Sequence, residues 1–521
     1  MAKKKLTAFS KFLITLGIVG GLTYGFIALR DSGALTGIIP EGTENEVGEE
    51  VSSSYKKGKD DGVIDIGVVT WGGYAAGQYF NEGFDVNAAS RFTKEYGLKV
   101  NFEIVDDYLS SRKQFENGEL DLLWATVDAY PTESGTLAGD PQIVFQADWS
   151  RGGDAIVVRR GINSVADLKG KTIAVAEMSP SHSFLIWLLK AGDLKQSDVT
   201  IEAYPSAIEA AGAFKAKQVD AAVVWSPDDE DCVNSVAGAK ILENTKSASN
   251  IIADVFIAKK DYINDHKEEL EKLYEGWMIG AAELNSSEVN KEKAAKILEN
   301  AFTGFSFDMT LQAINNVRLC THGDNMNFFG LNYDYNGVKG EELYANMTQE
   351  YTNLGYIEET PPIWRSVANP FAVKSASLTG AEHQAEGAKE FVAVDEVEGK
   401  KKEAIATKRL SISFATASYT LDDNAKTIID NMFVDIAKSF SNSQIRIGGN
   451  TDNVGARSGN ILLSKKRAQA VANYLTQEHG MQAARFIVVG NGPDNPVQGC
   501  ENSASASCNA KNRRTDIELV K

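Results

Sequence analysis

Residues 445–468, IRIGGNTDNVGARSGNILLSKKRA, constrain the local fold more than any other stretch of the chain. Ile445 and Ile447 alternate with polar neighbours as a short half-buried strand does, and a glycine-rich turn carrying Asp452 follows. After a loop, the pattern predicts a helix that opens at Ser464 and carries Arg467 in its first turn. A carboxylate leaving a strand and a guanidinium entering a helix can close on a zwitterion. The carboxylate takes an ammonium group and the guanidinium takes a carboxylate in bidentate fashion. The same spacing also suits a surface salt bridge worth at most about 1 kcal/mol.

The surroundings read as an α+β domain over residues 409–521. Leu410, Ile412 and Phe414 alternate as in a strand, and Ile428, Ile429, Met432, Phe433 and Ile436 fall on one helical face. The order N-T-D-x-x-G, then N, then L-S-x-x-R-A, with N-R-R at 512–514, resembles the OmpA-like peptidoglycan-binding domain. The resemblance implies that Asp452 and Arg467 grip the zwitterionic end of diaminopimelate in the cell-wall peptide. Asn450 and Thr451 lie in the same turn, and Arg513 comes near the peptide; a framework ion pair is the alternative for Arg513. Asn450 stands where many members carry His, and its amide can still donate and accept. Cys500 and Cys508 enclose a short polar loop that an oxidising compartment would let close as a disulfide, as some OmpA-like domains do; two free thiols are the alternative.

At the other end, lysines at 3, 4, 5 and 11 precede residues 12–29, FLITLGIVGGLTYGFIAL, which hold no charge. As a helix this segment rises roughly 27 Å, close to the hydrocarbon thickness of a bilayer. No small-x-small cleavage site follows, so an uncleaved anchor is favoured over a removed signal. The lysines keep residues 1–11 in the cytoplasm and send the rest across the inner membrane as a single-pass periplasmic protein. Ion-driven stator subunits also join one span to an OmpA-like domain, but they need an ionisable residue within the span, and this one has none. Residues 30–62 read as a flexible linker.

Residues 63–371 alternate short apolar runs with helical patterns, the signature of an α/β sheet with its ligand at the carboxyl ends of the strands. SVADLKGKT, IAVAEMSPSHSFLIWLLKAGDL, VDAAVVWSPD and ADVFIA resemble the periplasmic solute-binding proteins of the nitrate, sulfonate and taurine type, a two-lobed α/β fold. The loops that would line the cleft carry Trp71, Gly73 and Tyr74; Thr126 and Asp128; Ser179, Ser181 and His182; and Trp225. Glycines and a helix N-terminus there favour a small anion. Each residue has a plainer role open to it: Trp71 and Trp225 as hinge or core packing, Asp128 as a helix cap, His182 as a loop residue. Asp254 ranks below these. Residues 372–408, low in apolar content, read as a second linker.

The charge of −18 and the lack of a basic stripe exclude a nucleic-acid partner. The four cysteines show no metal-ligand spacing, so neither a metal nor a cofactor is expected. Thiamine-precursor synthases share the binding-protein fold, but their C-C-C-F-C stretch is missing and no nucleophile–base–orienter set appears; an enzyme is not expected. The expected whole is an anchor, a tether, a solute-binding module, a second tether and a cell-wall clamp. Its partners would be peptidoglycan, a small solute and a membrane transporter or channel complex. The competing class is an envelope scaffold whose binding fold contacts a protein and whose cleft is plugged by bulky side chains.

Overall fold

The structure, a computed structural model, describes residues 61–412, 414, 418–501 and 505–520. The expected anchor at 12–29 lies outside the described residues; among those described, no helix is long and apolar enough to cross a membrane.

Two sheets form the first part of the chain. β1 (Val63–Val68), β2 (Lys99–Ile104), β3 (Leu122–Thr126) and β4 (Gln142–Ser150) lie in one. β5 (Asp154–Val158), β6 (Thr172–Val175), β7 (Thr200–Ala203), β8 (Ala221–Trp225) and β9 (Lys240–Asn244) build the other. The chain then returns to the first sheet as β10 (Ala253–Ala258) and β11 (Val317–Leu319). The orders are β11-β4-β10-β3-β1-β2 and β7-β6-β8-β5-β9. The chain therefore crosses between lobes at 151–153 and again at 245–252, the geometry of a two-lobed α/β protein with a cleft between its sheets.

The first lobe is held by aromatic packing. Trp277, on the helix Lys267–Ser286, sets its ring 5.8, 5.2 and 4.9 Å from those of Phe102, Phe145 and Phe256. Gly280 on the same helix has no room for a Cβ, because the Ala76 carbonyl of the helix Ala75–Phe80 lies against it. The helix Gly340–Leu354 ties the lobes together. Its Tyr344 hydroxyl bonds that of Ser134 in the first lobe at 2.8 Å, and Tyr351 bonds Ser183 in the second at 2.9 Å.

Residues 372–408 depart from the expected loose linker. Thr321 donates its hydroxyl to the Gln384 carbonyl at 2.8 Å, and the Glu386 amide donates to Asp324 at 2.7 Å. Glu386 also pairs with Arg151 at 2.6 Å. Composition made the stretch look free, but polar anchors dock it on the binding fold, and its end is already a strand.

That strand, β12 (Ala404–Leu410), joins β13 (Gln444–Asn450), β14 (Phe486–Gly492) and β15 (Thr515–Val520) in the order β12-β15-β13-β14. The helix between β13 and β14 runs Arg457–His479, so it starts a full two turns before Ser464. Arg467 therefore sits in its third turn, away from the helix N-terminus. Gly449 of β13 lies so close to the Ser464 carbonyl that no Cβ fits. Cys500 and Cys508 are joined as a disulfide with Cα atoms 5.3 Å apart, while Cys232 and Cys320 are free and buried.

Candidate functional sites in the interlobe cleft and the C-terminal domain

The cleft is built where the strand ends of the two lobes meet. β10 pairs antiparallel with both β3 and β4, which sets Thr126 opposite Asp254 and Asp254 opposite Asp148. Two carboxylates facing each other on neighbouring strands repel, and these are buried as well. Asp154 opens β5 and lies opposite Trp225, the last residue of β8. Over this floor, the Trp71 indole donates to Asp148 Oδ2 at 3.2 Å and the Tyr74 hydroxyl donates to Asp254 Oδ1 at 2.6 Å. Ser150 donates its hydroxyl to Asp154 Oδ2 at 2.7 Å. The Trp71 and Trp225 rings stand 6.4 Å apart at 58°.

Glycine is required twice. A Cβ on Gly73 would strike the Asp148 carboxylate, and one on Gly153 would strike the Trp71 ring. The cavity between them is about 20 Å³, room for one or two waters. Trp71, Tyr74, Trp124, Thr126, Asp154, Trp225 and Asp254 line it, and neither lysine nor arginine does. Burial pushes the carboxyls of Asp154 and Asp128 up to about 7. Asp254 and Asp148 are raised well above the usual carboxylate range by burial, and for Asp254 by the charge of Asp148 next.

Of the residues singled out from sequence, Trp71, Tyr74, Thr126 and Trp225 meet around this cavity, with Gly73 packed behind them. Asp128 is buried and accepts the Ala253 amide at 3.3 Å. Ser179 turns its hydroxyl to the Ala176 carbonyl, and Ser181 is fully buried outside the lining. His182 accepts the Met178 amide at Nδ1 and lies edge-on to Tyr351 and Tyr356, so it joins a helix to its neighbour and does not reach the cavity. The small anion expected from glycines and a helix N-terminus finds no lysine or arginine in this lining. Sequence reasoning passed over Asp148 and Asp154 and set Asp254 low. Their signal was available: single acids inside the apolar runs FQADWS, GGDAIVV and ADVFIA, where burial without a partner is rare.

The C-terminal site has the opposite sign. A hollow of about 450 Å³ is lined by Phe414, Asn450, Arg467, Lys511, Arg513 and Arg514, among others. Arg467 is 9% exposed, donates Nε to the Ser418 carbonyl at 3.0 Å and lies 4.8 Å from the centre of the Phe414 ring. Burial, and then the charge of Arg513, holds its pKa below the ordinary guanidinium value. Among the described residues no carboxylate bonds it. Asp452 stands at the rim, its Oδ2 paired with Arg513 at 2.7 Å. Asn450 is framework: it donates to Asp516 Oδ2 at 3.0 Å and accepts from Asn491 at 3.0 Å. Thr451 donates its hydroxyl to the Asp452 carbonyl.

Comparison with known proteins divides the chain at the same place. Residues 413–510 match the OmpA family, and residues 88–275 match the family described as ABC transporter, phosphonate, periplasmic substrate-binding protein. Outer membrane porin F of Pseudomonas aeruginosa is 32% identical over 111 residues, 21% of this chain and 31% of that protein. The taurine-binding periplasmic protein of Escherichia coli is 29% identical over 187 residues, 35% of this chain and 56% of that protein. The chain thus spans about a third of the one relative and just over half of the other. The structure of the periplasmic nitrate-binding protein of Synechocystis PCC 6803 aligns with a TM-score of 0.48 at 13% identity, covering 63% of this chain and 92% of that one.

Proposed function

We infer, from a chain that joins a two-lobed periplasmic-binding-protein fold to an OmpA domain, a non-enzymatic envelope protein that grips the cell wall and holds a small solute. The C-terminal hollow takes the diaminopimelate end of the wall peptide, Arg467 receiving its carboxylate and Asp452 its ammonium. The two-lobed domain holds the solute for transport or sensing. The segment at 12–29 anchors the chain in the inner membrane, where a transporter or channel complex is the natural partner.

The observation that carries the reading is Arg467, a nearly buried guanidinium bonded by no carboxylate of the described residues. A buried charge of that kind is unfavourable unless a ligand neutralises it, and a carboxylate matches its fork bidentately. The aromatic side chains that nearly fill the cleft are what a scaffold with an empty cleft would show. The match of residues 88–275 to a periplasmic substrate-binding family favours a ligand.

Co-sedimentation with purified peptidoglycan sacculi tests the wall half. The full chain is expected to pellet, and free diaminopimelate-containing peptide is expected to release it. Arg467→Ala and Asp452→Ala should remain in the supernatant. If both variants pelleted as well as the parent, the assignment of this hollow would be wrong.

A further inference from the structure

We propose that the C-terminal domain and the segment leading into it form a strap across both interlobe crossings, so that the lobes part only when that domain lets go of the binding fold. The proposal rests on the two-lobed fold alone and is independent of which ligand either domain takes.

A two-lobed protein opens by rotating backbone dihedrals in the segments that cross between its lobes. Here each crossing is held from outside. At 151–153, Arg151 pairs with Glu386 at 2.6 Å. At 245–252 the contacts come from the end of the helix Asp435–Ser439 and the turn after it. The Asn250 amide donates to the Ser439 carbonyl at 3.0 Å, and Ser441 donates its hydroxyl to Asn250 Oδ1 at 2.6 Å. The Ser249 and Ser441 hydroxyls bond at 2.7 Å, and the Asn442 side chain donates to the Lys246 carbonyl at 3.1 Å. Two of these partners, the Asn250 N–H and the Lys246 carbonyl, are main-chain groups whose directions the dihedrals of the crossing set. Rotating the crossing would pull them out of line. Ser249 is fully buried and Asn250 is 8% exposed, so little water reaches the groups left behind, and burying them unpaired is unfavourable.

The strap is also fixed to both lobes. Gln384 and Glu386 bond Thr321 and Asp324, which follow β11 of the first lobe. Residues 389–392 carry this attachment to the C-terminal domain. Gln482 donates to the Lys389 carbonyl at 2.7 Å, Gln444 to the Val392 carbonyl at 2.9 Å, and Lys389 to the Asn442 carbonyl at 2.8 Å. From the same domain, Lys408 of β12 pairs with Asp193 of the second lobe at 2.9 Å. Parting the lobes would stretch this chain of bonds, whereas the docked domain fits the arrangement in which Trp71 of one lobe meets Trp225 of the other. Coupling of this kind is reciprocal: weaker docking raises the open population, and lobes held together tighten docking. The hollow around Arg467 shares no lining residue with these contacts, so it stays available while the strap is fastened.

Pulsed dipolar spectroscopy on the full chain in detergent, spin-labelled at Leu109→Cys in the first lobe and Ile208→Cys in the second, reads the lobe separation. Both positions are exposed, Cys232 and Cys320 are buried, and Cys500 and Cys508 are bridged, so the labels go to the introduced thiols. The labelled parent is expected to give one distance. Glu386→Gln, Ser441→Ala and Asp193→Asn loosen the strap at the first crossing, the second crossing and the second lobe. All three are mild enough to fold; Asp193 has a φ of 59°, a left-handed conformation that asparagine also adopts. Combined, they should raise a longer-distance population about tenfold over the parent. Distances unchanged in the triple variant would overturn the strap and reduce the docking to passive packing. A parent already divided between two distances would overturn it too, because the lobes would then part with the strap intact.

Discussion

The cleft and the C-terminal hollow treat buried charge in opposite ways. The cleft gathers carboxylates around a cavity of about 20 Å³, with aromatic rings over them and no basic residue in the lining. The hollow gathers guanidinium groups around about 450 Å³, with Asp452 paired to one of them. Each gathers one sign of charge. They differ in how the empty protein tolerates the imbalance. Carboxylates can take up protons and become neutral, whereas arginine keeps its charge and must rely on carbonyls, a π-face and partial solvent contact. The cleft should therefore respond to pH, and the hollow to salt.

The largest expected effect follows from the acids. Burial raises Asp154 to about 7, against about 3.9 for an unfolded aspartate. Between these two values the folded state holds a proton that the unfolded state has released. Stability must therefore fall as pH rises from about 4 to about 7 and then level off. One such group accounts for a loss on the order of 4 kcal/mol, and Asp128, raised to the same value, adds to the trend. Asp154→Asn should thus be more stable than the parent by on the order of 3 kcal/mol at pH 8 and nearly equal to it at pH 4. Urea unfolding at the two pH values measures this. Equal stability of variant and parent at pH 8 would mean that Asp154 is not held out of water.

The two sites also differ in how far the amino-acid sequence revealed them. Asp452 and Arg467 fall within one strand–turn–helix unit, so their order along the chain already brings them to one end of the domain. The helix start was misplaced because its true beginning, after Ala456, has no side-chain cap to mark it, whereas Ser464 looks like one. The cleft was legible only in its aromatic rim. Its acids lie on β4, β5 and β10, and only the strand order sets Asp254 between Thr126 and Asp148. Nothing local in sequence announces such a cross-strand meeting. The docking of 376–403 was hidden for a similar reason, since its partners Thr321, Asp324 and Arg151 lie far away in the chain.

A middle-sized effect would sharpen the account of the hollow. Arg467→Lys keeps the positive charge but removes the planar fork and its contact with Phe414. Affinity for a diaminopimelate peptide should fall about tenfold, near 1.4 kcal/mol, in a titration at fixed salt. Affinity unchanged by the exchange would mean that Arg467 acts as a bare charge, as any surface lysine could.

The smallest effect separates ligand binding from fold stability at the same rim. Arg513 pairs with Asp452, but its side chain is 49% exposed, so water and salt screen the contact. Arg513→Gln should therefore change the unfolding free energy by less than about 1 kcal/mol, and less still in molar salt. In the ligand-free protein the pair holds one oxygen of Asp452 that an incoming ammonium must share. Breaking it leaves that oxygen available, while the hollow loses one of its positive charges. The ammonium end of the peptide should then bind no worse, and the loss should appear at its carboxylate end. Titrating wild type and Arg513→Gln with the intact peptide and with one amidated at the diaminopimelate carboxylate distinguishes the two ends. The penalty for amidation should shrink in the variant if Arg513 helps Arg467 receive the carboxylate. An unchanged penalty would leave Arg467 as the carboxylate's receiver and reduce Arg513 to a partner of Asp452.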